Sequence, residues 1–286
     1  MERFETKLVR KRPVILAANF MAIGALTFGL GCSSPVPADP PATTVAAVLA
    51  APAPAPPAPV VSEFTPIPAK SPGASEINEF LKSDQKQMPP TGAVLFMGSS
   101  TIKIWDTMAR DFSEIPVINR GFGGSLIQES TLYVDRIAVP YKPKMIVLCA
   151  GTNDLAYGNK SAQQVFQDYK DFVTKVHASL PETRIIYLSI NPTVARWKLE
   201  PNILEANHLI EEFAIENNSK DEKLNFINAH PQLLTPDGKP QPSLLRADGL
   251  HFNADGYKVW TAMIKPRIMA LADMDGVQHL HTAKAQ

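Results

Sequence analysis

Four short blocks in this 286-residue sequence carry side chains able to do nucleophilic or proton-transfer chemistry. In Asp248-Gly249-Leu250-His251, an acid and an imidazole stand three residues apart. On a turn, that spacing sets the carboxylate against one ring nitrogen, fixes the tautomer and leaves the other nitrogen free as a base. Gly98-Ser99-Ser100-Thr101 closes an apolar run and opens a helix pattern. A hydroxyl there lies near free backbone N–H groups and the positive end of the helix dipole, which favours an alkoxide and an oxyanion. The same position also suits an ordinary N-cap. Asn119-Arg120-Gly121-Phe122-Gly123-Gly124-Ser125 lets a ligand approach the backbone closely. It reads as an N–H donor for a developing oxyanion or as a plain turn. A dinucleotide loop fails, because Leu126 stands where the third glycine is needed. Gly151-Thr152-Asn153-Asp154 offers a neutral amide that donates a hydrogen bond without becoming a base, or else an Asx-turn or helix cap. None of the blocks is specific by itself. Together they hold a nucleophile, a base with its orienting acid, and oxyanion donors, which is the inventory for acyl transfer.

Such blocks need a scaffold that brings them to one place. Short apolar runs at 93–97, 117–119, 145–150, 184–190 and 224–228 alternate with helix-like stretches at 101–110, 125–137, 161–180, 202–217 and 254–272. Nearly continuous apolar strands separated by helices predict an α/β fold with a parallel sheet covered on both faces. Function in such sheets sits at the carboxyl ends of the strands. The first three blocks in chain order fall at such ends, and Asp248 and His251 fall in the last loop. Cys149 lies inside an apolar run and reads as a small buried hydrophobe. Trp105, Trp197 and Phe122 are candidates for a pocket wall, although large aromatics near a sheet more often belong to the core. The globular composition spans about 73–272, a size that suits one domain. The polar segment 273–286 reads as a flexible tail.

In their order and combination, the four blocks resemble the SGNH (GDSL-type) hydrolase superfamily over about 93–268. The resemblance implies a flavodoxin-like three-layer α/β/α sandwich with about five parallel strands. It implies Ser100 as nucleophile, His251 as general base and acid, and Asp248 as its orienter. Ser100 N–H, Gly124 N–H and the Asn153 amide would form the oxyanion hole, with no metal or cofactor. One departure stands out: the residue before the nucleophile is usually Asp in that family and is Ser99 here. The α/β-hydrolase signature G-x-S-x-G is absent, because Thr101-Ile102 follows Ser100. The implied function is a serine esterase acting on a small ester, either an acylated sugar or a lipid. The rival from another class is a non-catalytic envelope lipoprotein that uses the fold to bind glycan.

Composition and the chain ends bound the setting. Lys and Arg number 28 and balance 28 Asp and Glu. With no basic run beyond the first dozen residues, nucleic acid is not expected as a partner. Two cysteines, Cys32 and Cys149, exclude a disulfide framework and a Cys-rich zinc module. The remaining histidines show no metal-ligand spacing, and the sequence does not reveal an oligomeric state. A basic start with Arg3, Lys7, Arg10, Lys11 and Arg12 leads into the uncharged residues 14–30 and then Gly31-Cys32. That pattern predicts a secretory signal over 1–31. Gly29-Leu30-Gly31-Cys32 resembles the lipobox of bacterial lipoproteins, which would make Cys32 the lipidated first residue and place the protein in the periplasm or cell envelope, with an outer-membrane anchor as one option. Residues 35–72 contain twelve prolines among mostly Ala, Val and Thr. Such a stretch favours extended polyproline-like chain, so 32–72 reads as a disordered tether.

Overall fold

A computed structural model describes residues 66–218 and 222–274. The expected signal segment, Cys32, the tether up to residue 65 and the tail from 275 lie outside the described residues. Five apolar runs become five strands: β1 (Val94–Gly98), β2 (Val117–Gly121), β3 (Met145–Cys149), β4 (Arg184–Leu188) and β5 (Leu224–Ile227). They pair in the order β2-β1-β3-β4-β5, and every pairing is parallel. All residues of β1, β3 and β4 are buried, which requires cover on both faces and explains why these runs do not alternate with polar residues.

The helices are α1 (Ala74–Lys86), α2 (Ser100–Lys103), α3 (Met108–Asp111), α4 (Ile127–Leu132), α5 (Val134–Ile137), α6 (Thr152–Ala156), α7 (Ala162–Ser179), α8 (Glu200–Glu216) and α9 (Ala254–Met274). Alternate strand residues point to opposite faces, and two cores result. Leu95, Met97, Ile146, Leu148, Ile185 and Tyr187 pack with α1, α4, α5, α7 and α8. Val94, Phe96, Met145, Val147, Ile186 and Leu188 pack with α2, α3 and α9. The molecule is a three-layer α/β/α sandwich with the strand order of flavodoxin-like folds. The chain runs outward from β1 to β2 and returns past β1 to β3. The connections therefore diverge between β1 and β3 and open a crevice at their carboxyl ends.

Two expected helices are each divided. The stretch 101–110 forms α2 and α3, because bonds from Trp105 N to Ile102 O and from Met108 N to Trp105 O (3.1 and 3.2 Å) tighten the turns between them. These turns bury the Trp105 ring, which stacks on Tyr257 at 5.0 Å between centroids. The stretch 125–137 begins two residues later than expected and breaks at Tyr133, whose hydroxyl donates to Pro72 O at 2.6 Å. Residues ahead of the expected boundary at 73 also join the domain. The Asn78 side chain accepts from Ile67 N at 2.7 Å and donates to Ile67 O at 2.9 Å.

Candidate active site

The nucleophile candidate is placed by a contact between strands. Gly98, the last residue of β1, lies between Gly121 and Cys149 in the register. Its φ is +136°, and a Cβ there would come within 2.0 Å of Cys149 O. Only glycine lets β1 turn so close to β3. Ser99 N then donates to Cys149 O at 3.1 Å, and Ser99 O accepts from Ile102 N and Lys103 N. Ser99 occupies the N-cap position, but its side chain makes no capping hydrogen bond. Ser100 is the first helical residue, and its Oγ is turned to His251 instead of to its own helix. The capping alternative therefore describes neither serine.

The imidazole arrives from the far end of the chain. Gly249 N donates to Arg246 O at 2.9 Å, and Arg246 N donates to His251 O at 2.7 Å, which closes a tight turn. Within that turn Asp248 Oδ1 accepts from Leu250 N at 2.9 Å and from His251 N at 3.0 Å. Its other oxygen, Oδ2, lies 2.7 Å from His251 Nδ1. A carboxylate facing Nδ1 keeps the proton on that nitrogen, so Nε2 is the free one. His251 Nε2 lies 2.9 Å from Ser100 Oγ, whose hydroxyl donates to it. The hydrogen bond from the His251 ring, helped by the two backbone amides, holds the Asp248 carboxyl down at about 2. The acid is therefore a fixed anion at any ordinary pH. Tyr257 in α9 supports the arrangement by donating its hydroxyl to Thr101 O at 2.8 Å.

On the other side of Ser100, the glycine loop lies directly against α2. A Cβ on Gly121 would stand 2.3 Å from Lys103 N, so the close approach predicted for these glycines is used here against the chain's own backbone. Phe122 N donates to Gly98 O at 3.0 Å and joins the loop to the end of β1. Asn153, in the first turn of α6, donates from Nδ2 to Ser125 O at 3.0 Å. Tyr157, at the end of the same helix, donates its hydroxyl to Gly124 O. Asp154 is fully buried, and its two oxygens accept from Ile127 N at 3.2 and 3.3 Å. Burial pushes its carboxyl up. The Asx-turn and cap alternatives for this block do not hold, because both side chains reach across to the glycine loop and α4.

The structure thus joins Ser100, His251 and Asp248 directly, and it joins Gly124 to Asn153 through Ser125 and Tyr157. Two residues not singled out in the sequence complete the neighbourhood. Arg196 Nη1 donates to Thr152 Oγ1 at 3.0 Å and to Asn153 Oδ1 at 2.8 Å, and its guanidinium lies 5.8 Å from the centre of the Tyr157 ring. Tyr157 stands one helical turn after Asn153, a spacing visible in the sequence. Arg196 gives no such local signal. Of the aromatic candidates, Phe122 is core, fully buried against Tyr133. Trp105 is buried too, although it borders a cavity of about 310 Å³ that Phe80, Lys103 and Asn119 also line and that Ser100 and His251 do not. Trp197 is half-buried beneath Lys239. Cys149 is buried, and burial pushes its thiol up to about 12, so it is inert packing. Among the described residues, no group of three His, Cys, Asp or Glu could hold a metal ion.

Chemically, this arrangement can raise the nucleophilicity of one hydroxyl, carry its proton on an imidazole and offer N–H groups to a negative oxygen. Residues 98–259, more than half of the chain, match the model of the GDSL-like lipase/acylhydrolase family. Among solved structures, a GDSL-like lipase from Bacteroides thetaiotaomicron superposes with a TM-score of 0.56 at 22% identity, covering 68% of this chain and 97% of the other. A carbohydrate esterase family 3 protein from Talaromyces cellulolyticus gives 0.53 at 17% identity, covering 63% and 97%. At these identities the likeness is one of fold. Curated proteins yield no match to this chain.

Proposed function

Because this chain belongs to the GDSL-like lipase/acylhydrolase family, we propose that it hydrolyses esters through an acyl-enzyme on Ser100. It is a carboxylic ester hydrolase; the assignment of roles to residues is our reading. The observation that carries it is the unbroken line from Asp248 Oδ2 to His251 Nδ1 (2.7 Å) and from His251 Nε2 to Ser100 Oγ (2.9 Å). Ser100 Oγ attacks the ester carbonyl as its proton passes to His251 Nε2, while Asp248 stabilises the resulting imidazolium. The carbonyl oxygen, now negative, is held by the N–H groups of Ser100 and Gly124 and by the Asn153 amide. The tetrahedral intermediate collapses, the bond to the leaving alkoxide breaks, and His251 gives that oxygen its proton. Water then attacks the acyl-serine, His251 takes and returns a proton, and the carboxylic acid leaves with Ser100 restored. Every step is proton and acyl transfer among groups of this chain and water.

The test is hydrolysis of short p-nitrophenyl esters together with labelling by a fluorophosphonate. Ser100→Ala is expected to lower turnover by on the order of 10⁶ and to abolish labelling. Undiminished turnover would remove Ser100 from the mechanism. A non-catalytic glycan binder, in contrast, would hydrolyse nothing and take no label.

The proposal extends to setting and substrate. A basic, then apolar, then Gly31-Cys32 start supports export with a lipid on Cys32, hence an enzyme of the cell envelope. Esters available there include acylated sugars and lipids. Comparing acetylated sugars with lipid esters of rising chain length tests that range, and activity on neither would overturn it. Fatty-acid labelling of the wild type against Cys32→Ala tests the anchor.

A further inference from the structure

Asn153 can serve an oxyanion only if its amide nitrogen, not its oxygen, faces the cleft. The two ends of an amide are nearly the same size, so hydrogen-bond partners alone decide which way it points. Here each end has a partner of one kind. Oδ1 accepts from Arg196 Nη1 at 2.8 Å, and Nδ2 donates to Ser125 O at 3.0 Å. A flipped amide would set its N–H against the guanidinium N–H and its oxygen against a carbonyl, leaving two donors and two acceptors face to face in a buried place. In the observed orientation one of the two Nδ2 hydrogens is taken by Ser125, and the second remains to be donated. Asn153 itself is only 4% exposed, so water does not readily substitute for a lost partner.

Arg196 is in turn held by a loop fixed at two points. Ile190 N donates to Asn207 Oδ1 at 2.7 Å and Ile190 O accepts from Asn207 Nδ2 at 3.1 Å. Ala195 N donates to Gly249 O at 2.9 Å, inside the turn that carries Asp248 and His251. The loop between β4 and α8 thus leans on the Asp248–His251 turn with one residue and grips Asn153 with the next.

We propose that Arg196 is a positioning residue for ester hydrolysis, which locks the Asn153 amide in the orientation that presents its free N–H to the oxyanion. This rests on the reading of Asn153 as an oxyanion donor. Its positive charge beside that amide also polarises the donor in the direction the transition state needs.

A double-mutant cycle on the full-length protein tests it, with kcat and KM measured for wild type, Arg196→Met, Asn153→Ala and the pair, and with Arg196→Lys as the conservative variant. Asn153→Ala is expected to lower kcat by about 10²–10³-fold. Arg196→Met alone is expected to lower kcat by ~10–100-fold with KM changed by less than ~3-fold, since it weakens a donor to the transition state and not substrate binding. Added to Asn153→Ala, it is expected to lower kcat by less than ~2-fold more, because the group it acts through is gone. Arg196→Lys keeps a charge and a donor for Oδ1 but loses the planar group beside Tyr157, and is expected to recover part of the loss. Equal losses from Arg196→Met in both backgrounds, or a change confined to KM, would overturn the positioning role while leaving Asn153 in place. No loss from Asn153→Ala would overturn both readings. If Arg196→Met does not fold, Arg196→Ala, which also removes the donor to Asn153 Oδ1, completes the same cycle.

Discussion

At the residue level, the site's acid is open to solvent and yet strongly shifted in its acidity. The Asp248 side chain is 47% open to solvent, yet three hydrogen bonds, led by that from the His251 ring, hold its carboxyl down at about 2. A carboxyl depressed in this way stays charged above its ordinary range near 3.9 and loses its charge only as pH falls through the lowered value. Asp248 is therefore expected to add no step of its own to the profile of log kcat/KM between pH 4 and neutrality. A step in that range that is absent from Asp248→Asn would mean that the carboxyl titrates there. Asp248→Asn is expected to lower kcat by on the order of 10⁴, because an amide facing Nδ1 no longer selects the productive tautomer. Ser99, where the resembling family has an acid, is 2% exposed and serves through its backbone, which the replacement leaves intact.

Among the elements, the three central strands were readable because burial on both faces demands unbroken apolar runs, and all five runs lie within a residue or two of their observed strands. The block sequences were readable for a related reason: close backbone contacts at strand ends admit few residue types. Gly98 shows this best. Its added Cβ would strike a backbone oxygen of β3 that cannot move without disturbing the sheet. Gly98→Ala is expected to destabilise the protein by at least ~3 kcal/mol, read from urea unfolding. A loss below about 1 kcal/mol would mean that the β1–β3 contact yields. What escaped the sequence is whatever depends on tertiary partners. α1 is largely polar and is anchored by a buried pair, Arg120 Nη2 to Asp84 Oδ1 at 2.5 Å, that spans two distant segments. α6 is five residues long, too short for periodicity to register. Arg196 lies 43 positions from Asn153 in a loop with no motif, and only the folded chain reveals what it touches.

Across the whole molecule, distance along the chain separates the site's parts and the parallel sheet reunites them. The proposed anchor at Cys32 acts at this scale, since it would set where the site works without altering it. Protein made in cells fed an alkyne-tagged fatty acid is expected to carry the label in the wild type and none in Cys32→Ala, with kcat unchanged. An unlabelled wild type would refute lipidation as the tie. Ser100 and His251 are 151 positions apart, and the second core, partly covered by α2 and α3, is completed when α9 docks Trp260, Ile264 and Ile268, all fully buried. Each such side chain contributes about 1.5–3 kcal/mol, so the layer that supports the imidazole's turn owes much of its stability to the last described helix. A polypeptide still emerging from the ribosome thus already displays its serine but has no partner to ionise it. The triad is therefore complete only once the chain has been made through the turn of Asp248 and His251 and the helix that follows it.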